Sequence, residues 1–261
     1  MCLIVFAWRA DRAFPLVLGA NRDEFYERPS LPAAFWPERG DLLAGRDLLK
    51  GGTWLGITRS GRFAAVTNYR QGNAQSGSPR SRGDLVRNFL TGTVVPHAYL
   101  AAVAAERSTF DGFNLLAGDM HELFHFSNRS GDPQPVRAGV HGLSNALLDT
   151  PWPKVRQAKA ALSALLGADK NALIAGVFAL LADRSRPPDD ALPSTGVSLD
   201  WERLLSPAFI ASPDYGTRCS TVLLADRHGE VTFVERSFDA APATSDIVYT
   251  FPLSPSVARA S

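Results

Sequence analysis

The chain begins MCLIVFAWRADRAFPLVLGANRDEF (residues 1–25), and two apolar segments in this stretch predict the centre of a β-sheet. The first, Cys2–Trp8, is apolar at both odd and even positions, which is typical of a strand covered on both faces. The second, Leu16–Ala20, follows a turn-rich segment and ends in the polar tetrad Asn21–Glu24. An antiparallel hairpin built from these strands carries the tetrad to the level of Cys2.

The rest of the chain alternates groups of strands with groups of helices. Two further strands flank the hairpin signal Ser60–Gly61, and a final hairpin turns at His228–Gly229. One helix is predicted to begin with Thr150 as its N-cap and Pro151 as its first residue. The predicted helices cover residues 84–90, 97–107, 151–166 and 171–181, and a short helix is predicted near Trp201. This order favours a layered α+β fold, which we expect to form one domain over residues 1–261.

Composition and charge exclude several classes of protein. The 27 basic and 26 acidic residues leave a formal charge of +1, so no net field attracts nucleic acid or an anionic membrane. No segment approaches the roughly 18–20 consecutive apolar residues of a membrane span. The apolar run that follows Met1 has only seven residues and no basic stretch before it, which argues against an export signal. We therefore expect a cytoplasmic protein with a small-molecule partner, without nucleic acid, integral membrane segment or cofactor; its oligomeric state stays open.

One motif match suggests a zinc site. The segment His121–His125 reads H-E-x-x-H, which binds zinc when both histidines lie on one face of a helix. Here the segment alternates in polarity and precedes a turn at Ser130–Asp132, which indicates a strand. In a strand the two histidines stand about 13 Å apart, too far to chelate one ion. We therefore predict a hairpin strand and no metal.

Cys2 is a candidate nucleophile because of its position. Removal of Met1 leaves a thiol and a free α-amine on one residue. The α-amine has a pKa of about 7.7–8.0 in model peptides, so near neutral pH part of it accepts the proton of the thiol. Nucleophile and base then form one unit. The alternative is an ordinary buried strand cysteine.

Other polar residues beside predicted strands supply complementary chemistry. Asn68 and Asn145 carry amides that can donate to a developing oxyanion. An arginine such as Arg218 can stabilise a thiolate if it lies near the thiol. Taken singly, each position also fits ordinary turn chemistry at the end of a strand.

Five motifs in order make the chain resemble the NRDE family, also called the transport and Golgi organisation protein 2 family. The motifs are the tetrad Asn21–Glu24 behind Met1–Cys2, Gly51–Gly56, Thr67–Arg70, Gly142–Asn145 and Gly216–Arg218. The resemblance spans essentially the whole chain. It implies an N-terminal nucleophile (Ntn) hydrolase fold, an αββα sandwich of two antiparallel sheets between helical layers.

The resemblance also implies roles for individual residues, by similarity to the cysteine Ntn amidases of the penicillin V acylase and bile salt hydrolase group. Cys2 matches their nucleophile, and Asn145 matches their oxyanion-hole asparagine. Arg218 looks like their late arginine beside the nucleophile. Asn68 matches a second oxyanion or substrate contact.

Two positions depart from the amidase pattern. The amidases place an early arginine and aspartate three residues apart, whereas Arg22 and Asp23 are adjacent here. In an extended segment these side chains point to opposite faces, so only one of them faces Cys2 unless a turn intervenes. Cys219 follows Arg218 where the family usually has serine. It is either a spectator or a redox partner of Cys2.

The resemblance implies two functions of different classes. The first is a cysteine amidohydrolase that acts on a non-peptide C–N bond of an N-acylated small molecule. The second is a non-catalytic protein that binds and carries haem, lipid or acyl-CoA in the same pocket, because family members are implicated in haem mobilisation, lipid homeostasis and secretion.

Overall fold

The computed structural model describes residues 2–72, 80–238 and 244–254, so the predicted removal of Met1 lies outside the described residues. Within these ranges thirteen strands form two antiparallel sheets. Strands β1–β13 are, in chain order, Cys2–Trp8, Leu16–Phe25, Ser30–Trp36, Arg39–Asp47, Leu55–Thr58, Phe63–Asn68, Phe113–Gly118, Leu123–Ser127, Gln134–Pro135, Gly139–Leu143, Tyr215–Ala225, Glu230–Phe238 and Thr244–Pro252. The described α-helices α1–α5 are Arg82–Thr91, Pro96–Ala105, Pro153–Leu165, Lys170–Leu181 and Leu199–Leu204.

The two sheets pack face to face, and helices cover both outer faces. The first sheet has the order β10-β1-β2-β11-β12-β13, and the second runs from β3 to β9 in sequence order. On β1, Ile4 and Phe6 lie in the core between the sheets, whereas Leu3 and Val5 pack against α3 and α4. Helices α1 and α2 cover the second sheet. Burial of each such side chain contributes roughly 1.5–3 kcal/mol, so the two-sided apolar pattern of β1 produces the αββα arrangement.

Helix α3 begins two residues later than the sequence predicts. Its N-cap is Trp152, whose φ and ψ are −62° and 147°, and its first residue is Pro153. The prediction of Thr150 and Pro151 was wrong because a residue that precedes proline is held in extended backbone. With a second proline at position 153, Trp152 stays extended and the helix starts after it.

The H-E-x-x-H segment is the predicted strand. His125 lies in β8, buried and paired with β7 and β9, whereas His121 is exposed and precedes the strand. Strands β3, β4, β9 and β13 were not predicted. Strand β13 lies at an edge of the first sheet, and its residue Val248 is 61% exposed. None of the described helices has the length and apolar character needed to cross a bilayer.

Candidate active site

The pairing of three neighbouring strands places the Cys2 thiol at the edge of an internal cavity. Cys2 lies directly opposite Arg22 on β2, and Arg22 lies opposite Cys219 on β11. Residues paired in this way present their side chains on the same face of the sheet, here the face between the two sheets. The cavity there has a volume of about 380 Å³ and is lined by side chains from both sheets and from the start of α1.

A β-bulge on β11 sets this register. Thr217 pairs with Asp23, but the next pair is Cys219 with Arg22, so Arg218 occupies the bulge. The Nη1 atom of Arg218 donates to the carbonyls of Phe25, Tyr26 and Arg28, at 3.0, 3.2 and 3.0 Å. Arg218 therefore lines the cavity and also braces the loop that follows β2. Cys219, rather than Arg218, takes the position opposite Arg22.

Burial and nearby charge act in opposite directions on the Cys2 thiol. Burial raises the pKa of Cys2, and the carboxylate of Asp23 raises it further. The Arg22 guanidinium and a hydrogen bond from the Asp23 backbone N–H lower this pKa by smaller amounts. The thiol is thus predominantly protonated until a base removes its proton, and Arg22 is placed to stabilise the thiolate that results.

Arg22 and Asp23 serve different faces of β2, because this segment is an extended strand. Arg22 points into the cavity with Cys2. The Asp23 carboxylate lies on the helix side of the sheet, where its Oδ1 atom accepts a hydrogen bond of 2.7 Å from Thr217 Oγ1. Arg22 pairs with Cys2, which is the first residue of β1. Asp23 therefore lies one residue beyond the start of β1, next to the N-terminal end of that strand. Burial raises the pKa of this carboxyl.

Asn68 and Asn145 are joined to Cys2 through Ser144. The Oγ atom of Ser144 lies 3.1 Å from the Cys2 carbonyl oxygen and 3.3 Å from Oδ1 of Asn145. The Nδ2 atom of Asn145 donates to the Asn68 carbonyl at 2.9 Å. Asn68 lines the cavity, whereas Asn145 is fully buried behind it. A chain of hydrogen bonds therefore links both asparagines to the Cys2 backbone, but only Asn68 lines the cavity where a ligand can reach it.

A group of buried charges on the helix side of the sheet escaped the sequence analysis. This buried ion cluster consists of Asp23, Arg70, Lys154 and Glu202, each at most 8% exposed. Arg70 Nη1 donates to Glu202 Oε2 at 2.7 Å, and Lys154 Nζ donates to the Leu205 carbonyl at 2.9 Å. Burial lowers the pKa of Lys154 to about 8, against the opposing effect of Asp23.

One signal in the sequence pointed to Lys154. The chain has only four lysines, and this one stands beside Val155 at the start of an amphipathic helix. Its partners Asp23 and Glu202 lie too far away in sequence for any local pattern to relate them. Tertiary packing of β2, α3 and α5 brings these side chains together.

Glu235 is the second group that the sequence analysis missed. It lines the cavity, accepts the Ala33 backbone N–H at 2.7 Å, and hydrogen-bonds to the Cys219 thiol. Burial raises the pKa of Glu235 and, together with the Glu235 charge, that of Cys219. Because β2 separates Cys2 from Cys219, their Cα atoms stand two strand spacings apart, about 9.5 Å. A disulfide needs less than about 7 Å, so Cys219 is not the redox partner of Cys2.

Comparison with known proteins identifies close sequence relatives. A family model described as Transport and Golgi organisation 2 matches residues 1–240. The Transport and Golgi organization protein 2 homolog of Bos taurus is 40% identical over 260 residues, covering 91% of this chain and 93% of the relative. The homolog of Homo sapiens is 39% identical over 258 residues with the same coverage.

Solved structures show the fold. A Caenorhabditis elegans ortholog of N-acylethanolamine-hydrolyzing acid amidase superposes with a TM-score of 0.51 at 11% sequence identity. The superposition covers 85% of this chain and 92% of that chain. The two antiparallel sheets between helical layers are thus the αββα arrangement of the Ntn-hydrolase fold, as the resemblance implied. On the family match and on the mammalian relatives, the chain belongs to the Transport and Golgi organisation 2 family.

Proposed function

We propose that the protein is a cysteine amidohydrolase that cleaves a non-peptide C–N bond of an N-acylated small molecule. The observation that carries this proposal is the position of Cys2. Cys2 is the first residue of β1, its thiol opens on a cavity, and it lies opposite a buried arginine. The fold shared with an amidase of N-acylethanolamines supports the same reaction class.

The proposed reaction has two stages. After removal of Met1, the α-amine of Cys2 takes the thiol proton, and the sulfur attacks the amide carbonyl carbon. A C–S bond forms while the carbonyl electron pair moves to oxygen. Collapse of this oxyanion breaks the C–N bond, and the leaving amine takes the proton back from the α-ammonium group. Water, deprotonated by the α-amine, then attacks the thioester and releases the carboxylic acid and the thiol.

Each remaining residue has a role in this reaction. Asn68 lines the cavity and donates to the oxyanion, a contribution typically worth about 2.7–4 kcal/mol. Asn145 is a positioning residue because its amide holds the Asn68 carbonyl. Arg22 stabilises the thiolate, Asp23 orients the α-amine from the opposite face, and Arg218 holds the loop after β2 in place.

The first experiment is an intact-mass measurement on the purified protein. We expect the mass of a chain that begins at Cys2, because only that chain carries a free α-amine beside the thiol. If Met1 is retained, the nitrogen of Cys2 is part of a peptide bond, and the proposed mechanism fails.

The second experiment traps the acyl-enzyme. A β-lactam such as penicillin V is a strained amide, and attack by Cys2 opens its ring and leaves the acyl group on sulfur. We expect one added β-lactam mass on the wild type and on Cys219→Ala, and none on Cys2→Ala. Cys219→Ala is the matched control, because this thiol lines the same cavity. A processed wild type that binds ligands without forming an adduct favours the alternative, a non-catalytic carrier of haem or lipid.

A further inference from the structure

Four cationic side chains that line the cavity have no carboxylate within 4.0 Å among the described residues. They are Arg22, Lys50, Arg82 and Arg218. Other lining cations are neutralised within the protein: Arg28 pairs with Asp47 at 2.7 Å, and Arg46 pairs with Glu38 at 2.7 Å.

The acidic side chains of the cavity leave this positive charge in place. Glu24 and Asp47 both face Arg28, at 3.7 and 2.7 Å. The Glu235 carboxyl accepts the Ala33 backbone N–H and hydrogen-bonds to the Cys219 thiol. Burial raises the pKa of Glu235, which favours its neutral form. The Asp23 carboxylate lies on the other face of the sheet. The remaining acidic residue of the cavity is Asp111, whose negative charge opposes the lowering of the Arg82 pKa by burial.

Arg22 is the strongest indication that a ligand completes the cavity. Its side chain is 92% buried, since only 8% of its surface is exposed. A guanidinium has five N–H donors, yet its one hydrogen bond within the described residues is a long contact of 3.5 Å to Ser30 Oγ. Glu235 interacts with Arg22 electrostatically, but no carboxylate among the described residues lies within 4.0 Å of this guanidinium. Burial of a charge without a close partner is costly, and an anion in the cavity supplies one.

The N-terminus of α1 adds a second positive feature to the same wall. Ser81, Arg82 and Gly83 all line the cavity, and the ten-residue helix α1 starts there. The first turn of a helix presents backbone N–H groups and the positive end of the helix dipole. Arg82 lies close enough to Cys2 for the charge of the thiolate to raise the pKa of Arg82. The Arg82 guanidinium also donates to the Gly112 carbonyl at 3.2 Å.

From these features we infer that the cavity holds an anionic group of the ligand, a carboxylate or a phosphate, between Arg22 and the start of α1 at Arg82. On the proposed function, the substrate is then an amide that carries this negative charge close to the scissile bond. The short distance follows from the strand pairing, because side chains paired as Cys2 and Arg22 have Cβ atoms about 5 Å apart.

Three amides with one acyl chain test this inference. They are N-lauroylethanolamine, which is neutral, N-lauroylglycine, which carries a carboxylate, and N-lauroyl-O-phosphoethanolamine, which carries a phosphate. Calorimetric titration of the Cys2→Ala protein measures binding without turnover. We expect at least one anionic amide to bind ten or more times tighter than the neutral one. The tighter of the two identifies the anionic group.

Arginine variants in the Cys2→Ala background locate the anion. Arg22→Met and Arg82→Met are each expected to reduce the preference for the anionic amide at least tenfold, whereas Arg22→Lys keeps most of it. Arg46→Met is the matched control, because this arginine lines the cavity but already pairs with Glu38. It is expected to keep the full preference. Circular dichroism checks that each variant is folded.

The outcomes separate this inference from the proposed function. Equal affinity for all three amides, or a preference that survives both Arg22→Met and Arg82→Met, overturns the anion site. An anion preference in Cys2→Ala, together with a wild type that begins at Cys2 and hydrolyses none of the three amides, keeps the site and contradicts the amidohydrolase.

Discussion

The two faces of β2 beside Cys2 differ in how their charged side chains are paired. On the helix side, the carboxylate of Asp23 joins Arg70, Lys154 and Glu202 in the buried ion cluster, where two acidic and two basic groups balance within the protein. On the cavity side, Arg22 has no carboxylate partner within 4.0 Å in the described residues. On the proposed function Asp23 also faces the α-amine of Cys2. The helix side is a closed electrostatic unit apart from that one group, whereas the cavity side is completed by a ligand.

The tetrad Asn21–Glu24 is divided between these faces by the alternation of a strand. Asn21 belongs to the helix side, where its Nδ2 donates to the Leu181 and Ala208 carbonyls at 2.8 Å each. Its Oδ1 accepts from Ser220 Oγ at 2.6 Å. The tetrad is therefore not one site: alternate residues anchor the sheet to its helices, and the others face the cavity.

Breaking the ion pair on the helix side tests the comparison most strongly. Arg70→Met leaves Glu202 without its guanidinium partner in a region where both side chains are 4% exposed. Removal of one partner of a buried pair typically destabilises a protein by about 3–5 kcal/mol, because the other charge stays buried. We expect a loss of that size in the free energy of unfolding, measured by urea denaturation.

An exposed ion pair is the control for this variant. Lys170 lies 2.9 Å from Glu230, with both side chains more than a third exposed. Lys170→Met is expected to change the free energy of unfolding by less than about 1 kcal/mol. Similar small losses in Arg70→Met and Lys170→Met would show that the cluster is not a closed unit.

The pH dependence of stability sharpens the comparison, with a somewhat smaller effect. Burial lowers the pKa of Lys154 from 10.5 to about 8. Between these pH values the unfolded chain binds a proton that the folded chain has released, so the contribution of Lys154 to stability increases as the pH rises. Relative to Lys154→Met, we expect the free energy of unfolding of the wild type to rise by about 3 kcal/mol from pH 8 to 10.5.

Val155→Ala is the matched control for the pH series. Val155 is the next residue of α3, is 2% exposed and does not titrate. Its loss lowers stability by the removal of apolar contacts, so the difference from the wild type should stay constant between pH 8 and 10.5. If the difference in the free energy of unfolding between the wild type and Lys154→Met is also constant over this pH range, the pKa of Lys154 is not lowered. The helix side of β2 then does not exclude water from this side chain.

The two faces also differ in how far the sequence predicts them. The apolar run Cys2–Trp8 predicts a strand that is buried on both faces, and the hairpin brings the tetrad to the level of Cys2, because both follow from local patterns. The local pattern does not decide whether Arg22 or Asp23 faces the thiol. The bulge at Arg218 was not predicted, since a bulge depends on how two distant strands meet. The partnership of Asp23 with Lys154 was not predicted either, because packing of α3 on the sheet creates it.

The smallest expected effect concerns Cys219, on the cavity face. Its Cα lies about 9.5 Å from that of Cys2 by two strand spacings, beyond the reach of a disulfide. Treatment with diamide should therefore leave the two thiols unlinked, which intact mass after alkylation measures. Cys219→Ser keeps a donor for Glu235, so its free energy of unfolding should change by less than about 1 kcal/mol. An intramolecular disulfide in the wild type would mean that β2 can leave its place between Cys2 and Cys219, and Arg22 could not then be a fixed part of the cavity wall.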